Sequence, residues 1–149
     1  FKSRDVKSTV GEQLSVTIPM FIYDAFMALN TLSNDKNINT EKIGIVGWSL
    51  GGGVSLFAAW TPIQQAISPN HKFAAHLPFY PPCMIMPDVL SFSNAPIHIL
   101  AGEVDNWVPA AACEALRSTT RQTCQGADQR TDPHRASGTF REARPSSAS

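Results

Sequence analysis

Gly47-Trp48-Ser49-Leu50-Gly51 sets a serine between two glycines, at the end of the apolar run "KIGIVGW" and ahead of three consecutive glycines at 51 to 53. A chain that passes from a buried strand into a helix through Gly-x-Ser-x-Gly turns so sharply that the serine hydroxyl stands above the carboxyl edge of the sheet. Glycine is expected at both 47 and 51, because a side chain at either would strike the neighbouring strand or helix. In that setting Ser49 is a nucleophile for acyl transfer. The backbone N–H of Leu50, at the start of the helix, then points to where a tetrahedral oxyanion would form. The alternative is a tight glycine turn without chemistry, and the flanking "IGIV" and "GGVSLFAA" favour the nucleophile.

A serine hydroxyl needs a base near neutral pH, and the base needs an acid to hold its tautomer and stabilise its charged form. In folds with this turn the acid follows the serine and the histidine follows the acid. Asp105, in "ILAGEVDNWVP", sits just past an apolar run and so reaches the same edge of the sheet as Ser49. Glu103 is its nearest rival, and a helix or turn cap ahead of "NWVPAA" is the competing use of Asp105. Among the 4 histidines, His71 and His76 precede Asp105, and His98 lies inside "PIHIL", where a hydrogen-bonded core histidine is the ordinary account. His134 alone follows the acid, far enough along to return through one helix and one strand. Its surroundings, "RTDPHRASGTF", hold no apolar strand to carry it there, so an exposed histidine is the alternative.

The elements that must position these groups are legible in the apolar pattern. "IPMFIYDAFMALNTL" places Phe21, Ala25, Leu29 and Leu32 on one side at helical spacing, with Pro19 suited to the first turn. Strands are expected at "KIGIVGW", "KFAAHLPFY" and "APIHILAG", and helices at "LGGGVSLFAAW" and "VPAAACEAL", with one helical turn in "TPIQQAISPN". Strands that are apolar without alternation, separated by helices, predict an α/β domain with a parallel sheet covered on both faces.

Composition bounds the rest. The 149 residues are 43% apolar and 16% charged with zero net charge, as in an ordinary globular domain with a core of its own. Neither nucleic acid nor membrane is indicated as a partner, since there is no basic footprint and no apolar stretch of the roughly 18 to 20 residues that span a bilayer. The chain starts at Phe1, from which the natural start is expected to lie upstream. Cys83, Cys113 and Cys124 are too few and too widely spaced for a disulfide scaffold or a zinc knuckle. Free thiols are one reading of them; a Cys83–Cys113 bridge, in an exported protein, is the other.

Composition breaks after Leu116. All 5 lysines precede that point, 6 of 7 arginines follow it, and residues 117–149 contain no Leu, Ile, Val or Met. Residues 1–116 therefore read as the folded body, and 117–149 as a basic, poorly packed or disordered tail. Such a tail is either a natural extension or the product of an out-of-frame or misjoined sequence, and the abruptness of the change favours the second.

The motifs together resemble the dienelactone hydrolase branch of the α/β-hydrolases. "DAFMALNTLSNDKNINTEKIGIVGWSLGGGVSLFAA", "FYPP" and "PIHILAGEVDNWVPA" carry the likeness, over most of residues 1–116. The resemblance implies an α/β-hydrolase sheet whose early strands lie before Phe1 and whose last strand is not recognisable after Leu116. It implies Ser49 as nucleophile, Asp105 as acid and Leu50 as one oxyanion donor, with His134 the remaining candidate base. Trp48, Tyr80 and Arg4 are the candidate substrate contacts: Arg4 falls where such proteins carry an arginine that grips a carboxylate, with a surface arginine as the alternative. Members that open lactone rings commonly use cysteine, so serine points to a wider range of small esters or lactones as partners. The implied chemistry runs through an acyl-enzyme and calls for no metal or organic cofactor. The competing reading is a catalytically inactive fragment or binding remnant of such an enzyme; peptidase activity on the same fold has no separate support.

Overall fold

The computed structural model describes residues 17–127, and the side chains of 17–120. The apolar run before Ser49 forms β1 (Gly44–Trp48), which pairs in parallel with β2 (Ala75–Phe79), Gly44 opposite Ala75 and Trp48 opposite Phe79. The third expected strand is present as a ladder with one rung missing. The His76 N–H donates to the Pro96 carbonyl at 2.9 Å, His98 to His76 at 2.9 Å, Leu100 to Pro78 at 3.0 Å and Tyr80 to Leu100 at 2.6 Å. The alternation of a parallel ladder calls for one more bond, from residue 78 to the His98 carbonyl. Pro78 has no N–H to supply it. Segment 96–100 therefore runs beside β2 through two parallel bridges, His76 with Ile97 and Phe79 with Leu100, rather than as a continuous strand.

Among the described residues the α-helices are α1 (Ile18–Ser33), α2 (Leu50–Phe57), α3 (Thr61–Ile67) and α4 (Ala110–Ala127). In α1 the buried side is shifted from the expected one and shares Leu29 with it. Ile22, Phe26 and Leu29 are buried, whereas Leu32 is exposed and Phe21 and Ala25 are only partly covered. Both stripes satisfy helical spacing, but turning Ile22 and Phe26 inward removes more apolar area from water than turning Phe21 and Ala25 inward. Phe26 then meets the Phe73 ring at a centroid distance of 5.4 Å. These side chains join Leu56, Phe57, Ile99 and Leu116 in one core. Helix α4 runs on past Leu116, the point at which composition changes.

That core lies on one face of the sheet. Ser55 of α2 fastens the helix to the strands twice, its Oγ donating to the Ile45 carbonyl at 3.1 Å and its carbonyl accepting from Nδ1 of His76 at 2.8 Å. Side chains alternate along a strand, so the positions between, Val46 and Trp48 of β1 and Leu77 of β2, point the other way and are exposed. The expectation of helices on both faces is met on one: among the described residues none covers the Val46 face. A shallow apolar groove of about 220 Å³, lined by Gly44, Ile45, Val46, Ala75 and Leu77, marks the amino-terminal half of that open face. Among the described residues no helix is long and apolar enough to cross a membrane.

Two long connections are tied down. After α3, residues 89–93 return against 59–61: Thr61 N–H donates to Ser91, Ser93 N–H to Ala59, and the Trp60 indole to the Val89 carbonyl. Cys83 and Cys113, the latter on α4, form a disulfide with both residues buried, which decides between the two readings of these cysteines.

His76 is 2% exposed, and burial holds its pKa below the ordinary histidine value against the opposing pull of the Ser55 carbonyl. A carbonyl only accepts, so Nδ1 carries the proton of a neutral ring. Below pH 6.5 the unfolded chain takes up a proton that the folded one refuses, and stability is lost as pH falls through that region. The urea midpoint is expected to drop between about pH 7.5 and 5.5. In His76→Asn, whose amide can donate the same bond, that dependence should be absent.

Candidate active site

Ser49 joins β1 to α2, and its backbone is held at φ 53° and ψ −118°. A residue with a Cβ enters that left-handed region at a cost of about 1 to 3 kcal/mol, so its neighbours must enforce it. The Ser49 N–H donates to the Phe79 carbonyl of β2 at 3.1 Å, and its own carbonyl accepts from Gly53 at 3.0 Å. Although Ser49 occupies the N-cap position of α2, its side chain makes no capping bond to the helix, and the residue is exposed. The hydroxyl is thus not consumed by the turn. Leu50 is the first residue of α2, where a backbone N–H has no partner within the helix.

Glycine is needed around this turn at positions that differ in part from those expected. A Cβ on Gly47 would fall onto the Gly51 carbonyl, as anticipated, but one on Gly51 would meet nothing within 4 Å. The second tight position is Gly52, where a Cβ would run into the Phe79 carbonyl, and Gly53 follows at 3.1 Å from the Pro82 ring. The first turn of α2 aims residue 52, not 51, at β2 and the prolines after it. Gly51→Ala is accordingly expected to stabilise the chain by up to about 1 kcal/mol through helix propensity. Gly52→Ala should destabilise it by about 1 to 3 kcal/mol, because the obstacle is backbone. Urea denaturation of the two variants checks this opposition of sign.

Tyr80, at the end of β2, is the other described non-glycine residue with positive φ, at 35°. Its N–H is bound by Leu100 and the next residue, Pro81, is buried. Two strained residues therefore sit at the carboxyl ends of adjacent parallel strands, a placement typical of functional sites. Sequence reasoning named Tyr80 but missed this strain and the role of the Phe79 carbonyl. The only signal was the unusual "FYPP". Trp48, also exposed, stacks on Phe79 with centroids 5.2 Å apart.

Asp105 follows the 96–100 segment and thus leaves the sheet at the edge where Ser49 stands. Its Oδ1 accepts from the N–H groups of Val108 and Trp107, both at 2.9 Å, and these bonds, Val108 first, hold its pKa below the ordinary aspartate value. The carboxylate is ionised and held by its own loop, which is the turn-capping use foreseen for it, and among the described residues it makes no bond to α4. His71 precedes β2 and so lies toward the opposite edge, His76 is buried beneath α2, and His98 is in mid-segment. None of these three is at the Ser49 edge. His134 and Arg4 fall outside the described residues. Among the described residues, no group of three or more His, Cys, Asp or Glu could hold a metal ion.

A family model described as the dienelactone hydrolase family matches residues 2–135 of the chain, running past Leu116. Comparison with curated proteins and with solved structures gives no match.

Proposed function

Because the chain belongs to the dienelactone hydrolase family, a family of α/β-hydrolases, we propose that it is a serine hydrolase of small ester or lactone substrates. The observation that carries this reading is the Ser49 hydroxyl, uncapped and exposed on a strained turn at the start of α2. The Oγ attacks the substrate carbonyl carbon, a base takes the hydroxyl proton, and the carbonyl oxygen becomes an oxyanion beside the Leu50 N–H. The alcohol leaves with the proton from the base. Water then adds to the acyl-enzyme and frees the acid. Asp105 orients the base: its two amide bonds use Oδ1, leaving Oδ2 for an imidazole. His134 is assigned as that base. Trp48 and Tyr80 flank the acyl position, and Arg4 is the candidate grip for a substrate carboxylate.

A second reading, an inactive remnant that retains the fold, is favoured by one observation: the three described histidines lie away from the Ser49 edge. A fluorophosphonate separates the two. The probe is expected to label the chain at Ser49 and to leave Ser49→Ala unmodified. Equal labelling of both proteins would remove Ser49 from the nucleophile role, and no labelling of either would favour the remnant.

A further inference from the structure

One peptide group, between Phe79 and Tyr80, is bonded to both arms of the site. Its carbonyl accepts the Ser49 N–H at 3.1 Å, and its N–H donates to the Leu100 carbonyl at 2.6 Å. A peptide is planar and rigid, and in a strand its C=O and N–H point to opposite sides. This single plane therefore spaces the turn of the nucleophile from the segment that leads to Asp105. Both neighbours leave the sheet at this level. Helix α2 begins at Leu50, and beyond Leu100 the chain turns so that the Asp105 N–H reaches back to the Gly102 carbonyl at 3.3 Å.

The plane is held firmly toward Ser49 and thinly toward Asp105. On the first side the Phe79 ring stacks on Trp48, and the first turn of α2 lies so close to the Phe79 carbonyl that a Cβ on Gly52 would strike it. On the second side Pro78 withholds the preceding rung, so Tyr80 is the next residue after His76 to donate to the 96–100 segment. Beyond the plane Pro81 is buried, and the Pro82 ring lies where a Cβ on Gly53 would meet it at 3.1 Å.

The chain passes from this plane to the two prolines because Tyr80 takes φ 35°. A residue before proline avoids the right-handed helical region. Position 80 is thus left with the left-handed conformation it has or an extended one. The extended form would turn the plane out of its two bonds or carry Pro81 and Pro82 away from α2. We infer that Tyr80 is a positioning residue that acts through its backbone, its left-handed conformation holding the 79–80 peptide as the spacer between Ser49 and the Asp105 loop. This role is separate from any contact of its ring with substrate, and it rests on the hydrolase reading of Ser49.

The test compares Tyr80→Gly, Tyr80→Asn and Tyr80→Val. All three lose the phenol ring, so KM for 4-nitrophenyl butyrate should rise in each alike. Glycine and asparagine enter the left-handed region, whereas valine, branched at Cβ, does not. The kcat values of the glycine and asparagine variants are expected within about threefold of each other, and that of the valine variant about thirtyfold lower. Amide exchange needs no turnover and should quicken at Ser49 in Tyr80→Val relative to Tyr80→Gly, while the His76 amide keeps its rate. If the valine variant does not fold, Tyr80→Ala, which has a Cβ without a branch, should show the same order with a step of about fivefold. Equal kcat in all the variants, or exchange at Ser49 that does not follow the left-handed tolerance of residue 80, overturns the inference and leaves the hydrolase reading in place. Absence of Ser49-dependent hydrolysis in the parent chain overturns the hydrolase reading and takes the inference with it.

Discussion

Ser49→Gly is expected to yield a chain about 1 kcal/mol more stable than the parent and about a thousandfold or more slower on esters. The two effects have separate causes. Serine at φ 53° is strained by its Cβ, and glycine enters that region freely. The relief, about 1 to 3 kcal/mol, is reduced by the extra backbone entropy that glycine loses on folding. Activity falls because no other group at the turn can form the acyl-enzyme. Ser49→Ala is the necessary companion: it removes the hydroxyl but keeps the Cβ, so it should be equally inactive without the gain in stability. Urea denaturation beside ester hydrolysis reads both quantities. A glycine variant no more stable than the alanine one would show that the turn holds no strain of this kind.

The same residues show how far the sequence could be read. Apolar runs without alternation located β1, β2 and the 96–100 segment, because burial demands that pattern whatever the partner strands are. The turn at Ser49 was legible for a similar reason, since glycine at 47 answers a collision that geometry alone imposes. Reading failed where two arrangements satisfy one local rule. Both faces of α1 have helical spacing, and only the core it packs against, with α2 and Phe73, chooses Ile22 and Phe26 over Phe21 and Ala25. Gly51 and Gly52 are adjacent glycines in one helix, and only the position of the Phe79 carbonyl shows which of them cannot carry a side chain. The lost rung at Pro78 could have been foreseen from proline chemistry once the strand order was known. The base is a different case. A histidine is assigned by where the chain returns to, and nothing local to His134 specifies that.

Removal of the Cys83–Cys113 bridge is expected to lower stability by about 3 to 4 kcal/mol, from the loop-closure entropy of a sequence separation of 30. The loop it closes contains both the 96–100 segment and Asp105, so the third strand and the candidate acid belong to one excursion of the chain. That excursion is weakly held by the sheet. It bonds β2 through a ladder from which Pro78 withholds a donor, and the groups that fasten residues 89–93 to 59–61 secure only its first third. Opening the bridge should therefore free segment 96–100 and α4 before it disturbs β1, β2 and α2, which the Ser55 bonds hold together. In Cys83→Ala/Cys113→Ala, or after reduction by excess dithiothreitol, the thermal midpoint should fall by roughly 10 °C or more. Hydrogen exchange should quicken first at the amides of His98 and Leu100 and last at those of β1. A loss below about 1 kcal/mol, or exchange that quickens evenly over all three strands, would mean that the sheet and not the disulfide keeps Asp105 at the Ser49 edge.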